Sequence, residues 1–188
     1  EKFDIVFHFA AFIEAGESMI RPENYFVNNV AGSHNVIELA ISNGCDRFVF
    51  SSTAAIYASS DYPLNEDSVI GPTNVYGETK LMVERMLYWY HKIYGIHFAV
   101  LRYFNACGAL PGRGEAHNPE THLIPRVLQV ALDQKDSVHL YGTDYPTADG
   151  TCIRDYIHVL DLAEAHVLAA EALQDRQCLY YNLGTGMP

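Results

Sequence analysis

Tyr76 and Lys80 are four residues apart in the sequence, and Thr53 lies upstream at the end of an apolar run. Residues i and i+4 share one face of a helix, so a phenol and an ammonium at this spacing can project toward one ligand. A phenol with a pKa of about 10 needs a neighbouring positive charge to act as a base at neutral pH. With Lys80 supplying that charge and Thr53 a hydroxyl, the trio suits proton removal from an alcohol during hydride transfer.

The spacing alone is not specific, because Tyr88 and Lys92 form a second pair of the same kind. Tyr88 lies twelve residues beyond Tyr76 on the same predicted helix, about 18 Å along its axis. The two pairs therefore cannot serve one site. Their positions relative to the neighbouring strands must decide which pair is catalytic.

The hydrophobic pattern predicts five elements in the first part of the chain: strand 3–9, an amphipathic helix 22–42, strand 47–51, helix 75–94 and strand 97–103. The strands are continuous apolar runs, which is typical of strands buried on both faces of a parallel sheet. A βαβαβ order predicts right-handed crossovers, with ligands bound beyond the carboxyl ends of the strands. Tyr76 begins its helix near that edge, and Tyr88 does not.

Beyond Asn105 the composition changes to a glycine-rich loop. The pattern then predicts helix 123–134, strands 138–141 and 153–157, helix 161–173 and a return strand 179–183. We expect His117 and His122 in the loop to bind no metal, because their spacing is loop-like and no thiol or paired carboxylate joins them. The sequence predicts no metal site.

The composition argues against several partners. A formal charge of −11 and a pI of about 5.1 disfavour nucleic acid and anionic membranes as binding partners. The four cysteines are scattered without a C-x-x-C pair, which is typical of a reducing compartment. No apolar stretch is long enough to cross a membrane. We expect a cytoplasmic protein.

These residues carry a resemblance that extends over nearly the whole chain. The matching segments are 7–11, 16–18, 28–30, 50–57, 76–80, 101–105, 144–147, 154–159 and 182–184. On them the chain resembles the extended short-chain dehydrogenase/reductases that act on nucleotide sugars, most closely their 4-epimerases. The resemblance implies an α/β fold: a Rossmann-like parallel sheet, the second half of a doubly wound fold, with part of a smaller substrate-binding domain. It divides the chain into a partial NAD-binding domain, 1–105, and a mostly substrate-binding part, 106–188.

The activity implied by the resemblance is NAD-dependent 4-epimerisation of a UDP-hexose, UDP-glucose or UDP-galactose, through a transient 4-keto sugar. Tyr76 would take the proton of the sugar 4-hydroxyl, Thr53 would bond the same oxygen, and Lys80 would hold the nicotinamide ribose and lower the Tyr76 pKa. The implied cofactor contacts are Phe9, Ala10, Ala11, Phe12, Ile13, Asn28, Thr53, Tyr76, Lys80 and Phe104. The implied substrate contacts are Thr53, Tyr76, Asn105, His122, Tyr141 and Arg154.

Some alternatives stay open. Ala54 and Ala55 occupy positions where related dehydrating or decarboxylating enzymes usually have an acid, which favours epimerisation. Another UDP-sugar 4-epimerase, acting on a pentose, glucuronate or N-acetylhexosamine, or a non-catalytic nucleotide-sugar-binding homologue remains possible. Arg154 could instead pair with Asp155 or Asp161, and Asn28 and Asn29 could be helix-surface residues.

Two further expectations concern the chain as a whole. It contains no glycine-rich dinucleotide-binding loop, so we expect these 188 residues alone to bind NAD poorly and to lack turnover. The resemblance also implies a homodimer through the helix that carries Tyr76. The aromatic residues later in that helix, Tyr88, Trp89, Tyr90 and Tyr94, fit an exposed contact face.

Overall fold

Four parallel strands form the main sheet of the computed structural model, which describes residues 3–173 and 177–187. They are β1 (Val6–His8), β2 (Arg47–Thr53), β3 (His97–Tyr103) and β6 (Cys178–Leu183), in the order β1–β2–β3–β6. Ser51 lies opposite Leu101 and Thr53 opposite Tyr103, so β2 and β3 end together. This confirms the predicted α/β fold with a Rossmann-like parallel sheet.

The remaining elements connect these strands. The helices are α1 (Ala15–Ser18), α2 (Pro22–Tyr25), α3 (Gly32–Ser42), α4 (Val75–Tyr94), α5 (Leu123–Ala131) and α6 (Val159–Ala172). A π-helical turn, Phe26–Ala31, joins α2 to α3, and a 3₁₀ turn, Ala54–Ile56, follows β2. Two short strands, β4 (Asn105–Cys107) and β5 (Tyr156–His158), form a separate parallel pair. The division of the chain at residue 105 stays a prediction.

The sheet is covered on both faces, as its apolar strands require. On one face Phe48, Phe50 and Phe98 pack with Val83 and Leu87 of α4 in a cluster that also includes α3. On the other face Val49, Ala99 and Leu101 pack with Ala169 of α6 and with Leu173. Adjacent residues of one strand point to opposite faces, and this alternation accounts for the two clusters.

Helix α4 has the bounds that its sequence predicts. The Asn74 side chain accepts a hydrogen bond from the Gly77 amide at 2.8 Å, which caps the first turn. Gly95 ends the helix at φ +73°, a left-handed conformation that glycine adopts without a Cβ clash. Strand β3 also has its predicted bounds.

Other predicted elements differ in extent. The predicted helix 22–42 is divided by the π-helical turn, and β1 is confined to the three residues that pair with β2. Helix α5 ends at Ala131 instead of 134, because Asp133 has a left-handed φ of 55°. Strand β5 begins at Tyr156 instead of 153, and α6 begins at Val159 instead of 161.

The predicted strand 138–141 was wrong. This segment has no regular structure, and Leu140 and Tyr141 are 73% and 86% exposed. A strand needs a neighbour to complete its backbone hydrogen bonds. The described part of the chain offers none here, so the apolar residues are not enough to form the strand.

Candidate active site

Thr53 and Tyr76 meet at the carboxyl edge of the sheet. Thr53 is the last residue of β2 and is buried, and its hydroxyl also accepts a hydrogen bond from the Ala55 amide at 3.1 Å. Tyr76 lies in the first turn of α4 and is half-buried, and its phenol lies close enough to the Thr53 side chain for that side chain to affect the phenol pKa. A phenol and a hydroxyl this close together can both reach one oxygen of a bound alcohol.

Lys80 lies beneath this pair and is almost completely buried, with 2% of its surface exposed. Its Nζ donates to the Ser51 carbonyl at 2.7 Å, and lies 4.9 Å from the Phe50 ring centroid and 6.0 Å from that of Tyr76. The amine is thus fixed between β2 and the Tyr76 ring. The sequence placed these three functional groups together, and the structure does bring them to one edge of the sheet.

At both Tyr76 and Lys80, burial shifts the pKa more than the neighbouring polar and charged groups do. Burial raises the pKa of Tyr76 above its ordinary value, and the nearby Thr53 side chain opposes this only in part. The expected lowering of the Tyr76 pKa by Lys80 is therefore not seen. Burial also lowers the pKa of Lys80 to about 8, although the Glu84 carboxylate favours the charged amine. Desolvation disfavours the charged form of both groups.

The start of α4 is held close to the turn after β2. A Cβ on Gly77 would overlap the Ala55 carbonyl oxygen, so only glycine permits this approach. The Tyr76 amide donates to the Ser18 hydroxyl at 3.1 Å. The Asn29 amide group donates to the Thr79 hydroxyl at 3.1 Å. These contacts fix the helix end, and hence the position of the phenol.

The residues predicted to bind the cofactor lie along the same edge. Phe9 to Ile13 follow β1, and Phe9, Phe12 and Ile13 are 56%, 48% and 40% exposed. Phe104 follows β3 and is half-buried. Asn28 is exposed, and an open depression of about 490 Å³ is lined by Phe12 and Asn28. Exposed aromatic and amide groups beside a depression fit a planar polar ligand.

The residues predicted to bind the substrate are less closely grouped. Asn105 donates to the Asp155 carbonyl at 2.8 Å, a contact within the protein. Arg154 is exposed, and among residues 3–173 and 177–187 it forms no ion pair. Its alternative partner Asp155 instead bonds Thr185 and the Gly186 amide. Tyr141 is exposed in an irregular segment.

His122 lies in a cluster that the sequence did not reveal. The Glu115 carboxylate lies 2.5 Å from His117 Nδ1 and 3.0 Å from His122 Nδ1. Glu120 lies 2.9 Å from the same His122 nitrogen. The assumption that no paired carboxylate joins the two histidines was therefore wrong, and the ligand atoms of Glu115, His117 and His122 lie within 4.8 Å of one another. That these histidines bind no metal stays a prediction.

A buried charged network adjoins Lys80 and was also missed from the sequence. Glu84 accepts hydrogen bonds from Ser52 Oγ at 2.5 Å and from Arg102 Nη2 at 2.8 Å. Arg102 Nη1 donates to the Tyr57 hydroxyl at 2.8 Å, which in turn donates to Asn182 at 2.7 Å. Glu84 follows Lys80 by four residues, and Arg102 interrupts an apolar strand. Both signals were present in the sequence.

Comparison with known proteins gives one consistent result. The chain is 52% identical over 187 residues to UDP-glucose 4-epimerase of Halalkalibacterium halodurans, covering 97% of this chain and 56% of that protein. It is 46% identical to the protein of that name from Lacticaseibacillus casei, covering 98% and 57%. The chain thus spans about half the length of the curated relatives it matches.

Solved structures agree with these relatives. UDP-glucose 4-epimerase from Brucella ovis in complex with NAD superposes with a TM-score of 0.92 at 47% identity, covering 97% of this chain and 57% of that one. The Bifidobacterium longum enzyme in complex with NAD⁺ and UDP gives 0.93 at 36% identity, covering 99% and 57%. The model of the NAD dependent epimerase/dehydratase family matches residues 1–184. The chain therefore belongs to the NAD dependent epimerase/dehydratase family.

Proposed function

We propose that the protein to which this chain belongs is an NAD-dependent isomerase that interconverts UDP-glucose and UDP-galactose at C4 of the sugar. The observation that carries the proposal is the proximity of the Tyr76 and Thr53 side chains above the buried Lys80, whose Nζ lies 6.0 Å from the centroid of the Tyr76 ring. Relatives named UDP-glucose 4-epimerase at about half identity support the choice of substrate. A non-catalytic homologue has no need of this trio, and the relatives do not favour it.

Each residue of the trio has a separate task in this reaction. Thr53 donates to or accepts from the sugar 4-oxygen and orients it toward the phenol. Tyr76 removes the proton from that oxygen as the C4 hydride leaves, and returns a proton when the hydride comes back. Lys80, which does not lower the Tyr76 pKa in this structure, stabilises by its positive charge the phenolate that forms during proton transfer. NAD, when bound, supplies the hydride acceptor and donor.

The exposed edge of the sheet fits the cofactor that this reaction needs. We propose that Phe9, Ala10, Ala11, Phe12, Ile13, Asn28 and Phe104 contact NAD, together with Thr53, Tyr76 and Lys80. The depression beside Phe12 and Asn28 offers room for part of such a ligand. Relatives solved in complex with NAD support this assignment.

The substrate contacts follow from the same edge and the open loops beside it. We propose that Asn105, His122, Tyr141 and Arg154 contact the UDP-sugar, with Arg154 facing the diphosphate. An exposed guanidinium without an ion-pair partner in the described ranges is free to bind phosphate oxygens in pairs. Asn105 would have to release the Asp155 carbonyl to bind the sugar.

A chimaera provides the direct test. Residues 1–188 replace the matching segment of the Halalkalibacterium halodurans relative, whose remaining segments supply what this chain does not contain. We expect the purified chimaera to convert UDP-galactose to UDP-glucose, detected by coupled NADH formation with UDP-glucose dehydrogenase. The parent relative and the isolated 188-residue chain are the positive and negative controls. A folded chimaera that binds NAD and UDP but gives no product would contradict the proposal.

We also propose a cytoplasmic homodimer. Trp89, Ile93 and Tyr94 are 62%, 67% and 60% exposed on the second half of α4, a large apolar surface for an isolated helix face. All four cysteines are free, which fits a reducing compartment. No helix in the described part of the chain is long and apolar enough to cross a membrane. Light scattering of the chimaera with Trp89→Lys, expected to be monomeric, tests the dimer.

A further inference from the structure

The charges buried beneath the active site do not balance. Lys80, Glu84 and Arg102 are 2%, 3% and 6% exposed, so two cations and one carboxylate are buried together. Arg102 bonds Glu84 through both Nε, at 3.3 Å, and Nη2, at 2.8 Å. A buried charge is stable only when a partner compensates it. The carboxylate that pairs directly with Arg102 therefore also compensates the Lys80 charge, without direct contact.

Glu84 is held firmly enough to do so. It lies one helical turn beyond Lys80 on the same face of α4. The hydrogen bonds from Ser52 and Arg102 keep the carboxylate from turning toward solvent. Glu84 accordingly acts on Lys80 through a poorly screening interior, without a direct contact between the two side chains.

No other titratable group around Lys80, among the described residues, takes the place of Glu84 as a negative charge. His8 on β1 feels the Lys80 charge, and burial together with that charge lowers the His8 pKa to about 4, so the ring is neutral at pH 7. Tyr76 on α4 and Tyr103 on β3 have pKa values raised by burial and are neutral as well. From β2 the amine meets the Ser51 carbonyl and the Phe50 ring, and neither of these groups carries a charge. Among the described residues, Glu84 is the only carboxylate that opposes the effect of burial on Lys80.

We propose that Glu84 is a positioning residue that keeps the Lys80 amine, held by the Ser51 carbonyl beside the Tyr76 ring, in its charged form at neutral pH. The carboxylate acts through Lys80 and does not contact the reacting atoms. The link to catalysis rests on the proposed function, whereas the electrostatic effect on Lys80 does not.

The test measures the titration of Lys80 in the 188-residue chain itself. The chain has four lysines, so ¹³Cε signals of labelled lysine can be assigned with Lys80→Arg as the reference. We expect Glu84→Gln to lower the titration midpoint of Lys80, raising its neutral fraction at pH 7 at least about threefold. Glu84→Asp, which keeps the charge, is expected to restore most of the original midpoint.

Two further variants separate charge from packing. Ser52→Ala removes a hydrogen bond to the same carboxylate but no charge, and is expected to leave the midpoint unchanged. Should Glu84→Gln fail to fold because Arg102 is left unpaired, the double variant Glu84→Gln/Arg102→Met is compared with Arg102→Met, so that the two chains differ only in the carboxylate, and the double variant is expected to have the lower midpoint. An unchanged midpoint in the folded Glu84→Gln, or equal midpoints in the double variant and Arg102→Met, overturns the proposal. A midpoint that falls equally in Ser52→Ala also overturns it, since packing would then be the cause.

The readout is independent of turnover. Because no cofactor or sugar is added, an inactive chimaera would leave this result intact. Conversely, an unshifted Lys80 would leave the proposed 4-epimerisation untouched. The two proposals can therefore fail separately.

Discussion

Helices α4 and α5 belong to parts of the molecule that differ in how they are built. On α4, Val83 and Leu87 are fully buried against the sheet, and this helix also carries Tyr76 and Lys80. On α5, no residue is buried, although its apolar residues would form one face. The groups proposed for the chemical step thus lie on a rigid element, whereas His122 and Tyr141, proposed for the sugar, lie on open segments.

The largest loss of activity is expected for a substitution on the buried helix α4. In the chimaera, Tyr76→Phe removes the proton-transferring hydroxyl and should lower kcat about 10²–10⁴-fold with little change in NAD affinity. Tyr88→Phe is the matched control, since Tyr88 also has a lysine amine near its ring, Lys92 Nζ at 5.4 Å, but is 41% exposed away from Thr53. Steady-state rates and NAD titration measure both. Equal losses in the two variants would refute the assignment of Tyr76.

The difference in packing should appear directly in stability. We expect Leu87→Ala to lower the free energy of unfolding by about 2–5 kcal/mol, because it leaves a cavity in a fully buried cluster. Leu128→Ala on α5 should change it by less than about 0.5 kcal/mol, because Leu128 is 55% exposed. Urea unfolding followed by circular dichroism compares the two. Similar losses would mean that α5 is covered in solution.

Acid should weaken the rigid region through His8. Burial, with a smaller contribution from Lys80, lowers the pKa of His8 from 6.5 to about 4, so the unfolded chain binds a proton more readily between these values. Stability is then full above pH 6.5 and falls as the pH drops toward 4, by about 2 kcal/mol between pH 7.5 and 5.

Replacing His8 tests the origin of this pH dependence. His8→Gln retains a polar partner for Ser33, which lies 2.8 Å from His8 Nε2, and should remove most of the loss measured by urea unfolding at the two pH values. The buried His166, whose pKa is also lowered by burial, leaves a residual dependence. An undiminished loss in His8→Gln would exclude His8 as its source.

The smallest effect is expected where the chain is most open. Burial would raise the pKa of Asp155, but hydrogen bonds from Thr185 and Gly186 outweigh it and lower that pKa. Asp155→Asn keeps one acceptor oxygen, so we expect a loss of about 1 kcal/mol in stability and faster amide exchange at Thr185. Hydrogen exchange at α4 amides provides the internal reference. Exchange that accelerates equally at α4 would contradict a local role.

The sequence predicted the rigid region better than the open one, for physical reasons. Helix α4 has its own capping residue, Asn74, and its own terminating glycine, Gly95, so its bounds are encoded locally. The failed strand 138–141 had only apolar residues to indicate it, and a strand depends on a distant partner. Short-range signals also cannot predict whether a π-helical turn divides the helix at 26–31.

The candidate site shows the same division. The proximity of Tyr76, Lys80 and Thr53 could be predicted because helix spacing and strand ends follow from local pattern. The ion pair between Glu84 and Arg102 joins α4 to β3 across the core. A local sequence pattern cannot predict a contact between two different elements. The cluster around His122 was missed for a related reason, because a loop brings Glu115 back to it.

Gly77 couples three parts of the site that are otherwise separate. Its bare Cα lets the first turn of α4 rest on the backbone of the turn that follows β2, and that turn also supplies the amide that orients Thr53. A single methyl group at this position would push the helix outward and carry the phenol away from the hydroxyl. The position of the Tyr76 phenol relative to Thr53 is thereby set by direct contact between two peptide backbones. Side-chain substitutions elsewhere in the pocket do not change that contact.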